Sequence, residues 1–463
     1  MREDELFADD GGNTVMTLLQ RYYVPGLYVE DHAIPVPYDW SGKRPGEGFG
    51  GESLSQFYRV VTAPEHAHDD LPLLVYLQGG PGGSAPRPLD PRSDGWIAEA
   101  VRHFRVILPD QRGTGRSSCV DGVTIAQWGE PRHQADRLKH YLADSIVRDL
   151  EHLRLTQFGG RRWVTLGQSY GGFLTLSYLS LFPEGVAASF TAGGIPHVPA
   201  GARELYEHTF PRMARKTGQF YERYPGDVER VAAVADLLRN RDVTLPNGDI
   251  LTVERLQTLG AGFGMKPSFE RIHWMFDIAL ANGDGTPGAR QRLSDAFLDA
   301  VMVETSSRPL YWPLQECIYA NGELDHPLGW SAQQVRDTMP AFDGAARPLL
   351  FTGEAIFPWM FREEKALRPF AAAMELLMQD TGYGRIYDPD RLARNEVPLQ
   401  SAVYFDDMYV DSGLQLDSLS RIGRSHYWVT NEFEHDGLHG DVVFRHLYEE
   451  ALNRGDLEAL FES

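Results

Sequence analysis

Four stretches in the first quarter of the chain, "GLYVEDHAIPV", "SQFYRVVTAP", "LPLLVYLQGG" and "FRVILPDQRG", are rich in Val, Ile, Leu, Tyr and Phe and are bounded by Gly, Pro or Asp. Such runs read as β-strands. The last two are nearly continuous apolar runs, the pattern of strands covered by helices on both faces of a mostly parallel sheet. Between residues 142 and 158 the period changes: Leu142, Ile146, Leu150 and Leu153 recur at helical spacing until Gly159 and Gly160 stop the pattern. A strand, "RWVTLG", follows directly, then a helix-like run ending near Phe182 and Pro183, then a strand in "AASFTAGGI". This alternation predicts an α/β fold.

From about residue 198 the texture changes to charged, aromatic-rich helical segments such as "GARELYEHTFPRMARKTGQFYERY" and "RQRLSDAFLDAVMVE", with few strand patterns until about residue 396. Strand patterns return in "VPLQSAVYFDDMYV" and "SHYWVTNEFEHDG", separated by a short helix. The patterns divide the chain into a core over residues 1–197, a largely helical insertion over 198–395, and a second core part over 396–463.

Composition narrows the class. A chain of 463 residues, 42% hydrophobic, can bury a large core. Net charge is −21, from 65 acidic against 44 basic residues, with no segregated basic patch, which disfavours nucleic acid and anionic membrane surfaces as partners. Cys119 and Cys317 form no disulfide framework and fit a reducing compartment. The acidic start "MREDELFADDGG" has neither the basic nor the apolar region of a secretory leader, and no window approaches 18 uninterrupted apolar residues, so a cytoplasmic protein is expected. "EHAHDDL" at 65–71 resembles the start of a metal motif, but Leu71 stands where the last ligand would be. No metal or cofactor is expected. "DQRGTGRS" at 110–117 lacks both a Lys after its glycines and the GxGxxG spacing of a nucleotide-binding loop. Its Asp110 and Arg112 are expected to pair with one another.

The stretch "VTLGQSYGGF", residues 164–173, sets Ser169 between Gly167 and Gly171 where a strand gives way to a helix. A tight strand-to-helix turn needs small residues two before and two after its apex, because side chains there would meet the flanking backbone. Ser169 then projects its oxygen above the sheet as a nucleophile, and the helix start offers N–H groups and the positive end of its dipole to a developing oxyanion. A second glycine cluster, "LQGGPGGSAPRP" at 77–88, follows a strand at the same sheet edge. Gly80, with Gly79 as the alternative, and the N–H of Tyr170 are the expected oxyanion donors. A serine needs a base, and the base a carboxylate to orient it. "AVYFDDMYV" supplies Asp407, with Asp406 one register step away, and "YWVTNEFEHDG" leads to His435, with His439 the competitor.

The ordered set "GGPGG" at 79–83, "DQRGTGRS" at 110–117, "GQSYGG" at 167–172, "DDMYV" at 406–410 and "EHDGL" at 434–438 resembles the proline iminopeptidases, also called prolyl aminopeptidases, in particular their longer bacterial subgroup. One departure is "LQGGPGG", where many shorter relatives have His before the two glycines. The resemblance implies an α/β-hydrolase fold with a mostly parallel central sheet and a helical cap inserted before the last core strands. It further implies release of N-terminal proline from short peptides, and cap carboxylates that capture the substrate ammonium. "LQECIYANG" nominates Glu316 and "FTGEAIFPWMF" nominates Glu354, with Trp312, Phe357 and Trp359 as candidate walls of a proline pocket. The alternatives are an esterase or broader aminopeptidase with the same triad, or an inactive hydrolase-like binding protein.

Overall fold

The computed structural model describes residues 17–281 and 292–460. The acidic start at 1–12, on which the expectation of no leader rests, lies outside the described residues, as do the first two residues of "RQRLSDAFLDAVMVE". Among the described residues nine strands form one sheet: β1 (Thr17–Val24), β2 (Leu27–Pro37), β3 (Ser53–Thr62), β4 (Leu73–Leu77), β5 (Arg105–Pro109), β6 (Trp163–Gln168), β7 (Val186–Ala192), β10 (Leu399–Tyr404) and β11 (Ser425–Thr430). Two short strands, β8 (Leu280–Ala281) and β9 (Arg292–Leu293), pair separately. The order across the sheet is β1-β2-β3-β5-β4-β6-β7-β10-β11. From β5 to β11 every neighbouring pair is parallel, whereas β1, β2 and β3 join antiparallel at one edge.

Period-two alternation explains why both faces are apolar. Leu73, Val75 and Leu77 of β4 pack on one face with Ile146, Leu150 and Leu153 of the helix Ala143–Gln157 and with Phe173 and Leu176 of the helix Tyr170–Leu181. Leu74 and Tyr76 point the other way, into a cluster with Trp96, Phe444 and Leu447 from helices Gly95–Ala100 and Val443–Asn453. Each large apolar side chain buried in these layers stabilises the fold by roughly 1.5–3 kcal/mol relative to exposure. β1 has no counterpart among the expected strands: its sequence "TLLQRYYV" is half polar, and it owes its place to ten residues of β2 that pair on the other side with β3.

Between β7 and β10 the chain is mainly helical, beginning with the 22-residue helix Ala202–Arg223. Its apolar side chains merge with the cluster on the first face of the sheet. Among the described residues no helix is long and apolar enough to cross a membrane.

Candidate active site

The parallel strands β4, β6, β7 and β10 end on one edge, and the candidate residues lie in the loops that leave it. Ser169, immediately after β6, has φ 55° and ψ −124°, a region that costs a non-glycine residue roughly 1–3 kcal/mol. Backbone contact on both sides holds it there. A Cβ on Gly171 would stand 1.9 Å from the Leu77 carbonyl oxygen, and one on Gly167 would stand 2.3 Å from the Gly171 oxygen. The steric need at both positions is therefore met. Gly194, after β7, is a third requirement that no sequence spacing reveals: a Cβ there would lie 2.2 Å from the Ser169 carbonyl oxygen. Ser169 N–H donates to Ala192 O at 3.1 Å, and its carbonyl accepts from Gly172 N–H at 2.8 Å.

The glycine loop after β4 touches this turn, since a Cβ on Gly79 would be 3.1 Å from Ser169 Cβ. With the Gln78 amide oriented by its neighbours, its oxygen accepts from Gly79 N–H at 3.1 Å and its nitrogen donates to Ser84 O at 3.2 Å. That engages Gly79 and leaves the Gly80 N–H without a partner among the described residues, at a φ of 125° that only glycine adopts readily. Tyr170 N–H opens the helix Tyr170–Leu181, in the first turn where N–H groups have no intrahelical acceptor.

The expected Asp110–Arg112 pair does not form. Asp110 accepts two hydrogen bonds from Arg87, at 2.7 and 2.5 Å, together with Ala85 N–H at 3.0 Å and Arg116 N–H at 2.9 Å, so it braces the glycine loop from below. Arg112, two residues on, meets Asp149 at 2.6 Å through two nitrogens and also donates to the Pro37, Tyr38 and His140 carbonyls. In "HAHDD", His66 pairs with Asp69 at 2.7 Å on an exposed turn, and no group of three metal-type ligands gathers among the described residues.

His435 Nδ1 lies 2.8 Å from Asp407 Oδ2, both buried. The other carboxylate oxygen of Asp407 accepts from Tyr409 N–H at 2.8 Å and Val410 N–H at 3.1 Å. Asp406 instead pairs with Arg215 at 2.8 Å, and His439 with Asp94 at 3.0 Å. Of the two aspartates and two histidines, Asp407 and His435 are the ones that meet each other. His435 sits five residues beyond the end of β11, and the Tyr409 ring stacks on its imidazole at 4.5 Å. Burial alone would lower the His435 pKa. The Asp407 charge and hydrogen bond, with Glu354 and Asp436, outweigh it and raise the pKa above its ordinary value. Ser169 and His435 share no hydrogen bond among the described residues. They are joined through Gln168, whose Nε2 donates to the His435 carbonyl at 3.3 Å, and such contacts commonly tighten only with substrate bound.

The two glutamates stand in different settings. Glu354 lines a cavity of about 140 Å³ with Tyr311, Trp312, Arg308, Met265 and Tyr409. Burial raises its pKa against the Tyr311 hydroxyl, which donates to it, and against the field of His435. Glu316 has no exposed surface, and its oxygens accept from Ser331 N–H and Ala332 N–H, each at 2.9 Å. It caps the helix Ser331–Asp337 instead of facing open space, and burial pushes its pKa up to about 8 against those two bonds. Of the candidate pocket walls, Trp312 lines the cavity, whereas Phe357 and Trp359 stack on one another in the core. Tyr311 and Tyr409 are the aromatic walls that sequence reasoning did not nominate. Each sits next to or two residues from a nominated position, Trp312 and Asp407.

A family description for the alpha/beta hydrolase fold matches residues 72–232. The chain is 40% identical over 423 residues to a proline iminopeptidase of Aeromonas sobria, covering 91% of this chain and 95% of that one. It is 33% identical over 415 residues to a proline iminopeptidase of Aspergillus aculeatus, covering 87% and 88%. A proline iminopeptidase of Saccharolobus solfataricus is 29% identical over 189 residues, 41% of this chain and 49% of its own length. With its strained serine turn on a mostly parallel sheet and relatives matched along nearly their whole length, the chain belongs to the proline iminopeptidase family of α/β hydrolases.

Proposed function

We propose that the chain is a serine aminopeptidase that releases N-terminal proline from peptides, with Ser169, Asp407 and His435 as its triad. The observation that carries this reading is the buried Asp407–His435 hydrogen bond beside a strained serine turn. Asp407 fixes the imidazole tautomer with Nδ1 protonated, which leaves Nε2 to take the Ser169 proton. The serine then attacks the carbonyl of the terminal proline, and the Gly80 and Tyr170 N–H groups receive the oxyanion. His435 returns the proton to the departing peptide amine, and water attacks the acyl-enzyme, with His435 again as base, to free proline.

An aminopeptidase must also recognise a cation. Glu354 is the better-placed carboxylate, because it faces the cavity and lies within the electrostatic reach of His435. A substrate ammonium beside it would favour its ionised form and form a charge-assisted hydrogen bond. Glu316 contributes by holding the helix Ser331–Asp337 within the cap, residues 198–395.

The test uses prolyl arylamides with a free or an acylated amine, and a simple ester. Ser169→Ala is expected to lose about 10⁶ in rate with all of them. Glu354→Gln is expected to slow the free-amine substrate by about 10- to 150-fold, the worth of a hydrogen bond to a charged group, while sparing the ester. Cleavage of acylated and free prolyl substrates at equal rates would replace the aminopeptidase reading with an esterase or endopeptidase.

A further inference from the structure

The helix Ala202–Arg223 lies in the inserted segment, yet its cations end on the two loops that carry Asp407 and His435. Arg212 Nε pairs with Asp411 Oδ2 at 2.6 Å, its Nη1 donates to the Phe405 carbonyl at 2.9 Å, and its Nη2 donates to Ser412 Oγ at 3.0 Å. One guanidinium therefore spans both ends of the loop holding Asp407. One turn further, Lys216 Nζ, on a side chain only 4% exposed, pairs with Glu434, the residue before His435. The second Glu434 oxygen is buried without a hydrogen-bond partner among the described residues. Positions four apart share a helix face, so a single face of this helix reaches both loops. Backbone contacts from the same insertion hold the second loop as well: His435 N–H donates to Gly264 O at 2.9 Å, and Lys266 N–H to the Asp436 carboxylate at 3.0 Å. Arg215 pairs with Asp406, but both side chains are well exposed, 50% and 38%, where an ion pair contributes little.

A buried ion pair is a weak way to secure a packed helix, since apolar side chains of similar size stabilise as well or better. What it supplies is a fixed register between the groups it joins. We propose that Arg212 and Lys216 are positioning residues that set the Asp407 and His435 loops relative to one another, so that the acid–base pair is complete only with the inserted helix docked. The inference rests on the triad reading above.

The readout is the rate at which a fluorophosphonate labels Ser169, which requires the assembled base, with thermal midpoints measured on the same samples. Lys216→Met and Arg212→Gln are expected to label about 10- to 100-fold more slowly, since a misplacement of roughly 1 Å can cost about 10²-fold. Lys216→Arg should restore most of the rate, and Arg215→Gln should label as wild type. The double variant Lys216→Met with Glu434→Gln leaves no unpaired charge, so it should regain thermal stability while remaining slow. Wild-type labelling in Lys216→Met, or a rate that recovers together with stability in the double variant, overturns the inference. If Lys216→Met is too unstable to assay, the double variant and Arg212→Gln decide it by the same criterion. Wild-type protein that fails to label at Ser169 overturns the triad reading instead.

Discussion

Asp407 spends one oxygen on the Tyr409 and Val410 N–H groups and the other on His435, so the carboxylate cannot rotate away from the imidazole. Its charge also sets how the site responds to pH. Burial acts to keep His435 neutral, and the opposing pull of Asp407, Glu354 and Asp436 is the larger, so the proton is held to a pH above the ordinary 6.5. If His435 is the base, as proposed, it must be neutral to accept the serine proton. The acid limb of kcat/KM is therefore expected to have its midpoint above 6.5, and a midpoint at or below that value would contradict the assignment. In Asp407→Asn, burial acts with less opposition, so the midpoint should fall while kcat drops by about 10⁴ through loss of the productive tautomer. At this scale the sequence nominated Ser169, Asp407 and His435 but kept Asp406 as an alternative to Asp407, because neighbouring residues differ only in which side of the loop they face; in the fold it is Asp407 that meets His435.

The strand β6, the turn and the helix Tyr170–Leu181 act as one element whose geometry depends on backbone approaching backbone. At Gly171 the obstacle to a side chain is a main-chain carbonyl of β4, which has no rotamer by which to yield. Gly171→Ala is expected to lower stability by about 1–3 kcal/mol, the usual cost of overpacking, and to move Ser169 enough to remove most activity. Urea midpoints and phosphonate labelling of the same samples would check both; unchanged values would mean that the turn tolerates a methyl group. The need for small residues at Gly167 and Gly171 was legible because both flank the serine at a fixed spacing, although only the obstacle at Gly167 is close in sequence and the one at Gly171 comes from β4. Gly194 was not legible, since it lies after another strand, at no fixed spacing from the turn it touches. Equally illegible was β1, whose polar edge sequence pairs through hydrogen bonds that carry no hydrophobic signature.

Across the whole molecule the inserted segment buries carboxyl groups that a surface would leave ionised. Glu316 is raised from 4.5 to about 8, and Glu364 to about 7, in both cases chiefly by burial. Folding therefore favours their protonated forms. The stability this provides is complete below about 4.5 and is lost as pH rises to about 8 for Glu316 and about 7 for Glu364. The thermal midpoint should accordingly be higher at pH 6 than at pH 8. Glu316→Gln, neutral at every pH, should flatten that slope while losing about 0.5–1.5 kcal/mol at pH 6 for one backbone hydrogen bond. A slope unchanged by the substitution would show that Glu316 does not titrate in this range.

What the sequence determined by itself is whatever short-range pattern encodes: the alternation of apolar strands and helices, the serine turn with its glycines, and the order in which Ser169, Asp407 and His435, the residues proposed as the triad, follow one another along the chain. The tertiary structure decided what depends on residues far apart meeting. It separated Asp110 from Arg112 by offering each a better partner, Arg87 and Asp149. It placed Glu354 on the cavity and enclosed Glu316 against a helix end, although both are glutamates in aromatic-rich segments. It also brought Arg212 and Lys216, about 200 residues before the loops they touch, onto Asp411 and Glu434. Local sequence fixes backbone conformation through sterics and periodicity, whereas the partner of a charged side chain is chosen by which opposite charge the packed fold carries within reach.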